Sequence, residues 1–182
     1  MASVLDSVNL RTQLVGENRL ELLLFNLGSY QSFAINVFKV QEVISLQRMT
    51  AMPGSHPSII DVVNMRGTTI PVINLPQAIG MRPIELNDDC NMIITEYNRT
   101  VQGFLVGKID QIVNTDWGNI QPPPRTAGRN HYLTAITQLE RNGETKIVEI
   151  IDVEKVLAEI ITYDTSISEG VLDEAIANEF HG

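Results

Sequence analysis

The strongest constraint on the fold is a succession of short apolar or alternating runs with turn residues between most of them. The runs are Leu20–Leu27, Gln31–Val37, Val40–Leu46, Thr69–Leu75, Asn91–Tyr97, Val101–Val106, Ile109–Thr115, His131–Leu139 and Thr145–Ile151. Gly28-Ser29, Gly80, Asn87-Asp88-Asp89, Asn98-Arg99 and Asn142-Gly143 punctuate them. Asn142-Gly143, between Thr137–Leu139 and Ile147–Ile151, is a strong hairpin signal, because a type I′ turn needs positive φ, which Asn and Gly tolerate. About nine short strands joined by tight turns predict an all-β chain, a barrel or a sandwich.

A few segments break the strand pattern. Ser3 can cap an amphipathic helix over residues 3–14, with Val4, Leu5, Val8 and Leu14 or Val15 on one face. Such a stripe ordinarily packs on the domain body; a docking helix is the other reading. Ser58–Met65, preceded by Pro53, His56 and Pro57, is expected to be a short apolar helix. Leu75–Gly80 is expected to form one turn stopped by Gly80. Asp152 caps a clear helix in which Val153, Val156, Leu157, Ile160 and Ile161 repeat at three-to-four spacing. After Tyr163 the composition changes to a linker, and Leu172, Ile176 and Phe180 form a thin stripe on an acidic background. The expected organisation is therefore an N-terminal amphipathic helix over residues 1–17, a body over 18–163 and an acidic helical linker over 164–182.

Composition narrows the function. The chain has 182 residues, 43% apolar and 19% charged, so it can bury a core and fold. Its net charge of −9 is uneven: Glu140–Gly182 carries a net −8, and residues 1–139 only −1. Neither part is a basic stripe, which argues against nucleic acid and against an anionic membrane surface. No run of about 18 apolar residues exists to span a bilayer, and the first residues have no secretory pattern. The lone Cys90 excludes an intramolecular disulfide and fits a reducing, cytoplasmic setting.

The sequence offers little catalytic chemistry. His56, His131 and His181 lie far apart, and none has a metal-type partner one helical turn away. Asn87-Asp88-Asp89-Cys90-Asn91 lacks the alternating carboxylates, central glycine and final glutamate of a calcium loop, and is expected to be a solvated turn. Cys90 beside His131 would make a nucleophile pair, but a structural thiol is the better reading. No nucleophile elbow or phosphate loop occurs. No metal and no cofactor is expected. Trp117, in Asp116-Trp117-Gly118-Asn119, is expected to plug a seam between two sheets rather than to stand exposed as a partner anchor. Pro122-Pro123-Pro124 is expected to be a stiff connection between two halves.

One stretch stands apart: Asn64-Met65-Arg66-Gly67, followed by Ile70-Pro71-Val72-Ile73-Asn74-Leu75. Together with Val40-Gln41-Glu42-Val43 and the approach through Pro53 and Pro57, it resembles the CheW family of chemotaxis coupling proteins over roughly residues 18–162. The N-terminal helix, Asp116-Trp117-Gly118 and the acidic connector are similar to the CheV type, in which a CheW-like domain precedes a response-regulator receiver. The resemblance implies the coupling half alone, with no receiver after Gly182. It also implies two small five-stranded β-barrel-like subdomains around a shared apolar seam, with short flanking helices. Asp61, Asn74 and Gly107 depart from the family pattern, which usually has glycine, aspartate and an acidic residue there.

The implied function is a non-enzymatic adaptor in the cytoplasm, associated with receptor arrays. Its implied partners are chemoreceptor cytoplasmic tips, the regulatory domain of the histidine kinase CheA and other CheW-like domains. No direct membrane insertion is implied. The implied partner-binding residues are Arg66, Gly67, Asn64, Val40, Glu42, Val43 and Val63. Arg66 offers a fixed fork of donors for carboxylates. Gly67 permits positive φ and close approach of a partner's backbone. Val40, Val43 and Val63 would line an apolar groove for a receptor helix, with Glu42 on the opposite side of its strand from Val43. Two alternatives stay open at this point: Arg66 clipping its turn to the barrel through an internal salt bridge, and the valines serving as core. Two other functions also stay open, a small-ligand-binding or enzymatic β-barrel using the seam between subdomains and a purely structural oligomerisation domain.

Overall fold

Leu22-Leu23-Leu24-Phe25 is a continuous apolar run in a strand, and it shows how the molecule is layered. A strand that buries one face alternates apolar with polar; one that buries both faces does not. The computed structural model describes residues 19–52, 56–123 and 132–162. In it Leu20, Leu22 and Leu24 point into one apolar cluster, and Leu23 and Phe25 into another.

Twelve strands form two sheets among the described residues. They are β1 (Arg19–Asn26), β2 (Ser32–Asn36), β3 (Glu42–Ser45), β4 (Thr50–Ala51), β5 (Ile59–Met65), β6 (Thr68–Asn74), β7 (Asn91–Tyr97), β8 (Thr100–Val106), β9 (Ile109–Asp116), β10 (Ile120–Gln121), β11 (Leu133–Arg141) and β12 (Glu144–Ile151). The first sheet runs β10-β11-β12-β2-β1-β9 and the second β3-β7-β8-β6-β5-β4. Each has five substantial strands and one strand of two residues, β10 or β4. This is the all-β, two-subdomain architecture expected from the sequence.

The two sheets share one wiring. Each has an edge strand (β9 or β3), a short strand (β10 or β4), one hairpin (β11–β12 or β5–β6) and a second hairpin (β1–β2 or β7–β8). In each, the hairpins meet through a parallel pair, β12 with β2 and β6 with β8. The first sheet takes its second hairpin from the start of the chain, so the duplication is circularly permuted.

Three apolar layers follow. Leu20, Leu22, Leu24, Ala34, Val148 and Ile150 fill the first subdomain. Val63, Ile70, Val72, Met92, Ile94 and Leu105 fill the second. Between them lies the seam, where Phe25, Phe33 and Ile35 meet Ile73, Ile93 and Phe104. The Phe25 and Phe33 rings lie 6.4 Å apart at 23°. Helix residues Val153, Val156, Leu157 and Ile160 close this layer.

The turns follow the chemistry read from the sequence. Asn142 (φ 54°) and Gly143 (φ 79°) make the β11–β12 turn with both residues left-handed. Leu75–Ala78 forms a one-turn helix, α1, capped by the buried Asn74, whose Oδ1 accepts from the Gln77 and Ile84 amides at 3.3 and 3.4 Å. Gly80 (φ 80°) follows it. The second helix, α2 (residues 153–162), is capped by Asp152 Oδ1, which accepts from the amides of Glu154 and Lys155 at 3.0 and 3.4 Å.

Three expectations are corrected. Ser58–Met65 is not helical: Ile59–Met65 is strand β5, because Ile59, Ile60, Val62 and Val63 are β-branched and the run pairs in register with β6 across the Arg66-Gly67 turn. Pro122-Pro123 does not connect the two halves, since β10 and β11 on either side belong to the same sheet; the halves are joined through Val37–Lys39 and through Gly107-Lys108. Trp117 is not in the seam: it opens a 3-10 turn after β9 and is 55% exposed. Residues 1–17 and 164–182, His131, His181, Pro53 and Pro124 lie outside the described residues.

Gly107 has a steric reason. Its amide donates to the Asn26 carbonyl at 2.9 Å, and a Cβ there would meet Asn26 Oδ1 at 2.2 Å and Asn26 O at 3.1 Å. Asn26 Oδ1 is itself held by the Gly28 amide at 3.2 Å. Gly107→Ala is expected to destabilise by about 1–3 kcal/mol through overpacking, read as a lower urea midpoint at unchanged slope. An unchanged midpoint would mean that Asn26 gives way freely.

Candidate functional site

The candidate site is built on the β5–β6 hairpin. Met65 pairs with Thr68, leaving Arg66 and Gly67 as a two-residue turn. Arg66 has φ 52° and Gly67 φ 85°, so both lie in the left-handed region that type I′ geometry requires. Asn64 closes the turn from within, its Oδ1 accepting from the Gly67 amide at 3.1 Å. The sequence reading required positive φ at Gly67 alone; Arg66 shares it, and this aims the arginine side chain away from the hairpin.

Arg66 then reaches across the subdomain. Its Nη2 donates to Glu42 Oε2 at 3.0 Å. Glu42 is on β3, the edge strand at the far side of the sheet order from β5. The ion pair thus spans the gap between the two sides of a curled sheet. Arg141 Nη1 does the same in the first subdomain, donating to Asp110 Oδ2 on edge strand β9 at 2.6 Å. An arginine at or beside a hairpin tip facing an edge-strand carboxylate is therefore a feature of both halves.

Magnitudes separate structure from surface here. The Arg66 side chain is 79% exposed and that of Glu42 27%. An exposed pair of this kind stabilises by about 0–1 kcal/mol. The pair orients the guanidinium without consuming it, and most of its donor edge faces solvent.

The remaining expected residues divide. In β3, Glu42 is opposite Ile94, which belongs to the second subdomain's interior, and Val43 is opposite Ile93, which belongs to the seam. Cross-strand partners point to the same face, so Val43 fringes the seam at its open edge. Val40 is half-buried against the seam cluster, just after the 3-10 turn Val37–Lys39. Val63, expected to line a groove, is 2% exposed and is core beneath the hairpin; its neighbours Ile70 and Val72 on β6 share that interior. So Asn64, Arg66, Gly67 and Glu42 come together, Val40 and Val43 flank them on the other side of β3, and Val63 only supports.

Phe38 was missed by the sequence reading. It stands 82% exposed in the 3-10 turn, whose backbone is held by Asn36 Oδ1 accepting from the Phe38 amide at 3.0 Å and by the Lys39–Glu154 ion pair. Inside a run read as alternating strand, Phe38 counts as a buried position. Only Asn36, a natural cap, hints that the strand stops there.

Other candidate chemistry disperses. Cys90 is buried in the second subdomain, its thiol donating to the Glu85 carbonyl at 3.5 Å, as a structural thiol does. His56 Nδ1 accepts from the Ser58 amide at 3.0 Å. Among the described residues no three histidine, cysteine or carboxylate side chains gather as metal ligands, and no helix is long and apolar enough to cross a membrane. Tyr132 and Glu149 are the perturbed titrating groups: burial, then the Glu149 and Glu159 charges, push the Tyr132 phenol up, and burial pushes the Glu149 carboxyl up against a lowering hydrogen bond from Gln31. The seam proposed for a small-ligand barrel is filled by phenylalanine, isoleucine and leucine side chains rather than by converging polar groups.

Arg66→Ala is expected to lower stability by less than about 1 kcal/mol, since only an exposed ion pair is lost. A thermal melt checks this, and a larger loss would make Arg66 a structural clip.

Comparison with known proteins places this geometry. The CheW-like domain family matches residues 21–160. The chain is 34% identical over 104 residues to a probable chemotaxis protein CheW of Rhizobium etli, covering 57% of this chain and 66% of that one. It is 32% identical over 129 residues to the chemotaxis protein CheV3 of Helicobacter pylori, covering 70% of this chain and 42% of that protein. It is 26% identical over 160 residues to the chemotaxis protein CheW of Klebsiella aerogenes, covering 87% and 92%. The crystal structure of the scaffolding protein TtCheW from Thermoanaerobacter tengcongensis superimposes with a TM-score of 0.67 at 24% identity, covering 75% of this chain and 86% of that one.

Proposed function

The chain belongs to the CheW-like domain family, and from that membership we propose that it is a non-enzymatic chemotaxis adaptor of the CheV type. It couples the cytoplasmic tips of chemoreceptors to the regulatory domain of the histidine kinase CheA, in the cytoplasm at receptor arrays, and pairs with other CheW-like domains. The CheV assignment is supported by the match to CheV3, of whose length the matched region spans 42%.

The observation that carries the proposal is the Arg66 guanidinium, held by Glu42 yet 79% exposed, on a rigid two-residue turn. An adaptor needs side chains that are fixed before the partner arrives, because ordering them on binding costs affinity. Arg66 meets that need for a carboxylate-bearing surface. On the other face of β3, Val43 and Val40 offer a narrow apolar strip, suited to one face of a partner helix. Asn64 and Gly67 act through the turn, and Val63 acts only as the floor beneath it.

Arg66→Ala is expected to weaken binding to a receptor cytoplasmic fragment or to the kinase regulatory domain by about 2 kcal/mol, roughly 30-fold. Calorimetric titration of each partner against wild-type and substituted chain tests this. Unchanged affinity for both partners would remove Arg66 from the interface.

A further inference from the structure

Trp117 is the chain's only tryptophan, and it stands at the mouth of an apolar groove. The groove has a volume of about 360 Å³ and opens at one end of the first subdomain. Leu20, Ile120, Ala135, Ile150 and Val153 line it, with Lys39 and Glu154 paired at its rim. Leu20, Ala135 and Ile150 belong to that subdomain's core cluster, so the groove is the core's open end. A tryptophan beside an uncovered core end is the kind of apolar surface that ordinarily receives a partner.

Three parts of the chain outside the described residues begin near this sheet, and they differ in what they can supply. Residues 124–131, between β10 and Tyr132, read Pro-Arg-Thr-Ala-Gly-Arg-Asn-His and carry no large aliphatic side chain. Residues from 163 onward start at the far end of α2, whose first turn is at the groove; ten residues of helix carry the chain about 15 Å away from it. Residues 1–18 end where β1 begins, at Arg19, beside Leu20 in the groove wall and opposite Asp116, the neighbour of Trp117. This segment alone carries an apolar stripe, Val4, Leu5, Val8 and Val15. Four residues separate position 14 from Arg19, a reach of at most about 14 Å, so the stripe is tethered at millimolar effective concentration.

We propose that the N-terminal segment, residues 3–14, covers the Trp117 groove in cis, laying Val4, Leu5 and Val8 against Trp117, Ile120 and Ile150. The assignment is independent of the adaptor reading, because it concerns the opposite end of the first subdomain's sheet from its Arg141 hairpin and uses none of the residues around Arg66. It makes the N-terminal segment part of the folded body, and it leaves the 163–182 side free for other use.

Trp117 fluorescence and its quenching by acrylamide test the proposal on the full chain, with no label. The expected result is a shielded tryptophan in the wild type, and a red shift with stronger quenching in Val4→Asp/Leu5→Asp/Val8→Asp. Val8→Asp alone should give a smaller change of the same sign. Gln13→Asp, on the opposite face of a helix over 3–14, should change nothing. Far-UV circular dichroism confirms that each variant keeps its β signal. Three results would overturn the proposal: quenching equal in wild type and triple variant, an equal effect from Gln13→Asp, or shielding that disappears on dilution, which would make a second copy the occupant.

Discussion

The seam between the two sheets is the interaction on which the rest of the structure depends. Phe25, Phe33, Ile35, Ile73, Ile93 and Phe104 are all nearly inaccessible there. Each such side chain contributes about 1.5–3 kcal/mol on burial, several times the value of an exposed ion pair. Neither sheet has another partner for that face, and α2 closes what the sheets leave open. The seam therefore fixes the relative position of the subdomains, and with it the position of anything mounted on their rims.

Rigidity at the seam is what makes weak surface features useful. The Arg66–Glu42 pair adds little to stability, but it stands on a hairpin whose floor is Val63, Ile70 and Val72. Val43 and Val40 sit at the seam's edge, so a partner that touches them and Arg66 reads both sides of one strand. An adaptor has no chemistry to perform; it holds two other proteins in a fixed relation. A molecule of two barrels fused through a solid core suits that task.

Much of this was legible in the sequence, and what was not has physical causes. Turn chemistry read well: Asn142-Gly143 and Gly80 carry the φ values their residue types favour. The resemblance through Asn64-Met65-Arg66-Gly67 located the hairpin, and the run Leu22–Phe25 carried the sign of a strand buried on both faces. Ser58–Met65 misled because a short apolar run has no period to distinguish helix from strand; its pairing with β6 decides. Trp117 and Phe38 misled because exposure of an aromatic residue depends on where a strand ends, and a single 3-10 turn moves that end by a residue or two. The arginine-to-edge pairs were invisible, since Glu42 and Arg66 are 24 residues apart and meet only when the sheet curls. The permuted duplication was invisible as a repeat because one half borrows its hairpin from the chain's beginning.

The most direct test of the account is whether the chain joins its two partners at once. The full chain, purified kinase regulatory domain and a receptor cytoplasmic fragment would be mixed and run by analytical ultracentrifugation, beside each pair alone. The account predicts a ternary species that forms only when the chain is present and that Arg66→Ala diminishes. Mutually exclusive binding, with one partner displacing the other, would contradict the coupling role while leaving the fold untouched.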